Sequence, residues 1–317
     1  MMKTKLAIIF GGKSSEHEVS VISATSVIEA LDKNKYEITP VKIEKDGDWP
    51  SAEQLRQFDV VFPLTHGTFG EDGCLQGYLE LVGVPYVGCG VLGSALGMDK
   101  VVQKQLLRAA GIPVVDWVEI RLAEWLSNKN LFLEKIQSEF RFPLFVKPAN
   151  NGSSVGISKA KNLIELERGI ETAFKHDRKV LVERGVENAR EIECSVLGND
   201  EPRASVLGEI VPSNEFYDYN AKYLDGKSGL IIPAELSEEI SEKLRATAKK
   251  AFYVLNSSGM ARVDFLMDGK TGEWWLNEIN TIPGFTSVSM YPKLWMASGL
   301  GYSELLDELV RLAIEKK

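Results

Sequence analysis

Three oxygen-bearing side chains near the end of the chain, Asp264, Glu278 and Asn280, carry the sharpest chemical signal. The segments MARVDFLMD and EWWLNEIN read as strands, and side chains alternate faces along a strand. Ala261, Val263 and Phe265 then face a core, while Arg262 and Asp264 share the opposite face. In the next strand Glu278 and Asn280 share one face and Asn277 and Ile279 the other. If the strands are neighbours, Asp264, Glu278 and Asn280 converge. Hard oxygen donors with no His or Cys among them suit magnesium held against phosphates. The competing reading is a solvated sheet face of alternating charge, the usual case for one acidic residue in a strand. Arg262 between the ligands, and a loop with Pro283 and Gly284 after them, favour the metal.

A second group surrounds small-residue loops. NNGSSVG (150–156) follows a strand that ends near Lys147, and such loops let backbone N–H groups approach phosphate oxygens. No Gly-Lys-Ser/Thr follows it, so it is not a Walker loop, and no Gly-x-Gly-x-x-Gly follows the first strand. By itself this loop is also an ordinary surface turn. Glu16 lies after a Gly-Gly turn and before a helix, where it complements the helix dipole or serves as counter-ion for a substrate ammonium. His66 opens HGTFGEDG after a strand, at the sheet end where ligands gather in wound α/β folds. A structural histidine reads the same way. Lys100 and Lys222 fit as surface lysines, and Glu183 and Glu191 as carboxylates at strand ends.

These residues must be positioned by elements. LAIIF after Lys5 reads as a buried strand, followed by a helix over 19–31 with Val19, Ile22, Val27, Ala30 and Leu31 on one face. Strands at 36–43, 59–64 and 84–87 and a helix at 75–81 complete a first unit, residues 1–92. The alternation implies a doubly wound parallel sheet covered on both faces. A second unit, 93–186, holds a helix from Asp99 to Ala110, a strand near Val118, a helix over 123–138, and strands at 142–148 and 180–186. The third, 187–317, is dominated by strands and so by an antiparallel sheet, with a helix from Ser237 to Asn256 and a C-terminal helix.

The bulk numbers bound the function. With 317 residues and 44% hydrophobic content, two or three domains with real cores are expected. A formal net charge of −8 argues against a nucleic-acid partner, which needs a basic face. Cys74, Cys89 and Cys194 are odd in number and form no Cys-x-x-Cys pair, which fits a reducing compartment. The first apolar run is too short for a signal core. No stretch approaches the roughly 20 apolar residues of a membrane span, so a soluble, cytoplasmic protein with no membrane partner is expected.

Seven stretches in order, GGKSSEHEVS (11–20), HGTFGEDG (66–73), MDK (98–100), FVKPANNGSSVGISK (145–159), YDYNAKY (217–223), ARVDF (261–265) and NEINTIPGFTSVSMYP (277–292), resemble the D-alanine–D-alanine ligase family of the ATP-grasp superfamily. The resemblance spans essentially the whole chain and implies an ATP-grasp fold. It also implies roles. Lys100, Lys147 and Lys222 contact the ATP phosphates, Ser154 and its loop the terminal phosphates, Glu183 and Val186 the adenine, and Glu191 the ribose. Asp264, Glu278 and Asn280 hold two Mg2+ ions, with Mn2+ able to substitute. Glu16 and His66 position the first amino acid. Ser153, Tyr223, Arg262, the Gly284 backbone, Ser289 and Met290 complete the substrate pocket. The partners implied are D-alanine, ATP and a second copy in a homodimer, and the pathway is peptidoglycan precursor synthesis.

That inventory makes physical sense. A carboxylate is a poor electrophile and is activated by taking the γ-phosphoryl group, a transfer whose charge metal ions and lysines neutralise. Attack by an amine then creates a tetrahedral oxyanion, for which Arg262 and the Gly284 N–H are candidate donors. A closing segment around Tyr223, linked through Ser153 to Glu16, excludes water. Two alternatives stay open: another carboxylate ligase of the superfamily, such as one adding D-lactate, and a nucleotide-binding regulator without chemistry. A regulator has no need of an oxyanion donor.

Overall fold

The computed structural model describes residues 2–152, 155–211 and 229–316. The expectations for Ser153, Ser154, Lys222 and Tyr223 lie outside the described residues.

The chain opens with β1 (Thr4–Gly11), α1 (His17–Ala30), β2 (Tyr36–Ile43), α2 (Ala52–Leu55), β3 (Val60–Pro63) and α3 (Cys74–Val82). The strands form a parallel sheet in the order β2-β1-β3. Leu6 and Ile8 of β1 enter one core with Ala24 and Val27 of α1. Ala7 and Ile9 enter another with Leu75 and Leu79 of α3. Both faces are covered, which is why β1 is apolar throughout rather than alternating.

Two expectations change here. Ile22 is 56% exposed, and the buried side of α1 is Val19, Ser20, Ser23, Ala24 and Val27. Small polar residues take the inner face because their hydroxyls find partners there. Ser20 Oγ accepts from Gly11 N at 2.7 Å and donates to Leu64 O at 2.7 Å, pinning α1 to the ends of two strands. Residues 84–87 form no strand of their own: Tyr86 makes a single parallel bridge to Val61.

The middle of the chain runs through α4 (Val91–Met98), α5 (Lys100–Ala109), β4 (Trp117–Arg121), α6 (Leu122–Glu139), β5 (Leu144–Pro148), β6 (Ser158–Ala160), α7 (Leu163–Ala173) and β7 (Lys179–Arg184). The four strands form an antiparallel sheet in the order β4-β7-β5-β6. Asp99 caps α5, its side chain accepting from Val101 N and Val102 N at 3.1 Å, and Gly111 at φ +72° ends it. α4 does not emerge from sequence patterning, because Gly93 and Gly97 lower its propensity. A Cβ at Gly93 would lie 2.4 Å from Asn256 O, and one at Gly97 2.6 Å from Thr281 Cγ2. The glycines let α4 lie directly on the last part of the chain.

That part contains β8 (Ala189–Gly198), β9 (Arg203–Val211), β10 (Gly229–Ile231), α8 (Glu238–Val254), β11 (Gly259–Asp268), β12 (Trp274–Asn280), α9 (Met290–Ala297) and α10 (Tyr302–Glu315). Its sheet is antiparallel, in the order β10-β9-β8-β11-β12. α8 packs Leu244, Ala248 and Phe252 against Val196, Val263 and Phe265. α10 returns to the first core, where Leu305, Leu306 and Leu309 join Leu6 and Ile8 together with Leu197 and Met260.

Candidate active site

β11 and β12 pair so that Asp264 faces Glu278 and Arg262 faces Asn280. Ala261, Val263 and Phe265 are buried in the core as expected, leaving Arg262 and Asp264 on the open face. The guanidinium grips Asp264 bidentately, with Nε donating to Oδ1 and Nη2 to Oδ2, both at 2.7 Å. Asn280 Nδ2 donates to the same carboxylate at 3.0 Å. Glu193, which sequence reasoning did not single out, lies opposite Asp264 on β8 and 3.0 Å from Arg262 Nε. Its only signal was its place in REIECSVLG, facing the same way as Glu191.

One detail of β12 departs from simple alternation. The register slips between Asp264 and Phe265, which pairs Phe265 with Leu276 and leaves Asn277 as an extra residue. Leu276 and Ile279 are both in the core, and Asn277 does not share the inward face with Ile279. Its Oδ1 accepts from Lys147 Nζ at 3.3 Å. A bulge of this kind re-aims side chains locally, and here it turns Asn277 towards the middle sheet.

One cavity gathers Glu16, His66, Lys100, Arg262, Glu278, Asn280, Gly284, Ser289 and Met290. Glu16 sits at the N-terminus of α1 without capping it through its side chain. A Cβ at Gly67 would lie 2.9 Å from Glu16 Oε2, and one at Gly152 2.7 Å from it, so both loops close on this carboxylate. His66 is buried at the end of β3, and burial pulls its imidazole below the usual range despite Glu16 nearby. Glu71, another residue not foreseen, also lines the cavity. Its Oε1 accepts from Gly67 N at 2.8 Å. Burial, and then the charge of Glu16, push its carboxyl up to about 8.

Lys100 opens α5. Its Nζ donates to Asn151 O at 2.7 Å and stands 3.8 Å from Glu278 Oε2. Ser289 precedes α9 and accepts from Thr286 N at 3.0 Å. A Cβ at Gly284 would come within 2.7 Å of Ser289 Oγ, so only glycine brings that backbone so near the hydroxyl. Met290 is packed beside Ile210 and Leu294.

Five expected residues stand outside that cavity's lining. Asp264 is buried behind Arg262. Lys147 and Glu183 meet between β5 and β7, with Nζ 2.6 Å from Oε2. The second oxygen of Glu183 is 2.9 Å from Lys104 Nζ. Burial raises the Glu183 carboxyl, but the two lysines outweigh it and hold it below the ordinary range. Val186 follows β7, and Glu191 is on β8 opposite Leu266 of β11.

A magnesium ion fits the donor chemistry. Among the described residues no set of three His, Cys, Asp or Glu side chains converges as a metal site. The cluster is instead two carboxylates and an amide, with Asp264 and Glu278 in register and Asn280 touching Asp264. Such an all-oxygen set suits a hard, partly hydrated cation shared with phosphates. No described helix is long and apolar enough to cross a membrane.

Comparison with known proteins agrees over the full length. The pattern described as "D-ala D-ala ligase C-terminus" matches residues 106–311, and that of the N-terminus matches residues 5–57 and 50–89. A D-alanine–D-alanine ligase of Thermoanaerobacter sp. (strain X514) is 51% identical across 99% of this chain and 98% of its own. One from Clostridium novyi (strain NT) is 49% identical across 99% of each. Among solved structures, the D-alanine–D-alanine ligase from Coxiella burnetii superposes with a TM-score of 0.86 at 37% identity, over 100% of this chain and 95% of the other. The VanG D-Ala:D-Ser ligase from Enterococcus faecalis does so with the same score and identity, over 98% and 100%. With both halves matched and relatives at half identity aligned end to end, the chain belongs to the D-alanine–D-alanine ligase family.

Proposed function

We infer that this enzyme joins two molecules of D-alanine into D-alanyl-D-alanine, converting ATP to ADP and phosphate, and so supplies the dipeptide for peptidoglycan precursors. The observation that carries this reading is the cavity itself. A buried carboxylate suited to an ammonium, Glu16, shares it with a guanidinium, a lysine and two oxygen ligands.

In the first step a carboxylate oxygen of one D-alanine bonds to the γ-phosphorus, and ADP leaves. In the second, the neutral amine of another D-alanine attacks the acyl carbon, phosphate leaves with the bridging oxygen, and the amine proton is released. Glu16 and the neutral His66 orient the first amino acid. Arg262 and the Gly284 N–H face the oxygen that becomes negative in the tetrahedral intermediate, with Ser289 and Met290 bounding the second amino acid. Lys100 and Lys147 hold phosphates, and Glu183, Val186 and Glu191 the nucleoside. Asp264, Glu278 and Asn280 would hold two Mg2+ ions, or Mn2+ with its similar oxygen preference. Bound there, the metal neutralises the charge of phosphoryl transfer. Ser153, Ser154, Lys222 and Tyr223 take their roles from the family resemblance alone, as does the homodimer, and the division at residues 92 and 186 rests on the order of strands and helices in the sequence. ATP as substrate and three free cysteines favour the cytoplasm.

The test is ADP release with ATP, Mg2+ and D-alanine, with product analysis when D-lactate or D-serine competes as acceptor. D-alanine-dependent ADP release with dipeptide as the main product is expected. ADP release independent of D-alanine, or a product dominated by the other acceptors, refutes the reading.

A further inference from the structure

Lys104 is the most buried cation among the described residues, at 1% exposure, and the mechanism above gives it no task. It projects from α5 with its Nζ 5.9 Å from the ring centre of Trp117. Its Nζ is 2.9 Å from Glu183 Oε1, an ion pair buried on both sides. The other oxygen of Glu183 is taken by Lys147 at 2.6 Å. One carboxylate therefore carries two lysines. They are not equivalent, because Lys147 is more exposed and also touches Asn277 on the neighbouring sheet, at the edge of the oxygen cluster.

We propose that Lys104 is a positioning residue for nucleotide recognition: it is the fixed counter-ion of Glu183, so that Lys147 can leave that carboxylate for the phosphates of ATP while Glu183 stays an anionic acceptor for the adenine amino group. A buried carboxylate left without a cation takes up a proton. Without Lys104, movement of Lys147 to phosphate would strand Glu183 in that condition, and a protonated Glu183 donates where adenine also donates. The nucleotide with a 6-oxo group in place of the amino group, ITP, would then be accepted more nearly as well as ATP. This rests on the nucleotide placement in the proposed function.

The test uses the full chain, with Lys104→Met, Glu183→Gln and the double variant, each checked for folding by thermal melting. Steady-state kinetics with ATP and with ITP are paired with calorimetric binding of Mg-ATP in the absence of D-alanine. Lys104→Met is expected to raise the ATP KM about tenfold, the consequence of removing one partner of a buried ion pair, with kcat within about threefold and the D-alanine KM unchanged. The preference for ATP over ITP should fall by a similar factor. In the Glu183→Gln background the same substitution should change the ATP KM less than about threefold, because the two residues act as one unit. An unchanged ATP-to-ITP ratio, or an undiminished effect of Lys104→Met in the Glu183→Gln background, overturns the proposal. If Lys104→Met does not fold, the comparison of Glu183→Gln with the double variant decides alone, since the double variant removes the buried lysine together with its carboxylate partner. Mg-ATP binding reports on Lys104 even if ligation of D-alanine is absent, which separates this failure from that of the proposed reaction.

Discussion

Arg262 occupies a crowded electrostatic position, clamped on Asp264 and close to Glu193. Two carboxylates hold the guanidinium plane in one orientation before substrate arrives, which is the preorganisation an oxyanion donor requires. Arg262→Ala is expected to lower kcat by about 10²–10³, the usual cost of one such donor, in single-turnover assays. A loss below tenfold removes the residue from that role. Glu71 yields a prediction of another kind. Its carboxyl is raised to about 8 in the folded protein, against about 4.3 when unfolded. Between those values the folded state binds more protons than the unfolded one, so stability declines as pH rises. The contribution is complete below about 4.3 and lost as pH passes through about 8. Thermal melting without nucleotide or metal should show a Tm that falls from pH 6 to 9, and Glu71→Gln should flatten that fall. A slope identical in both proteins refutes the assignment.

At the scale of elements, α5 carries two lysines of the proposed site from one cap. Asp99 accepts from Val101 N and Val102 N, fixing where the helix begins and therefore where Lys100 and Lys104 point. It also pairs with Lys179 of β7. Asp99→Ala should cost about 0.5–2 kcal/mol, as N-cap removal does, read from the denaturant midpoint. It should also raise the KM for ATP, because Lys100 loses its anchor. A folded variant with unchanged midpoint and KM shows that the cap does not position the helix. β11 and β12 show the limit of reading elements by period. Alternation correctly put Arg262 and Asp264 on the open face. It misplaced Asn277, because a bulge is a property of the pair of strands and leaves no mark on either sequence. The stripe of α1 missed at Ile22 for a related reason: Ser20 and Ser23 take the inner face because Gly11 N and Leu64 O bond the hydroxyl of Ser20 and Phe285 N bonds that of Ser23.

At the scale of the molecule, the last helix is tied to the first core. Leu309 of α10 is fully buried among residues of β1, α1 and β3. Leu309→Ala should destabilise the protein by about 2–5 kcal/mol, the range for a leucine truncated in a packed core, measured by chemical denaturation. A change under about 1 kcal/mol would mean that the site collapses around the smaller side chain. Local pattern and composition determined much by themselves: the wound parallel start, the antiparallel last sheet, the capped helices and the face of its own strand on which each of Asp264, Glu278 and Asn280 lies. These follow from periodicities and caps that act within a few residues. Ordered motifs, read through a family resemblance, supplied the reaction and the nucleotide. Only the tertiary structure decided that Lys104 and Glu193 belong with the expected residues, that Glu71 stands beside Glu16, and that α4 lies on the last sheet through Gly93 and Gly97. Each of these depends on burial and charge brought together across long stretches of chain, where a lysine or glutamate acquires its meaning from neighbours that no local pattern contains.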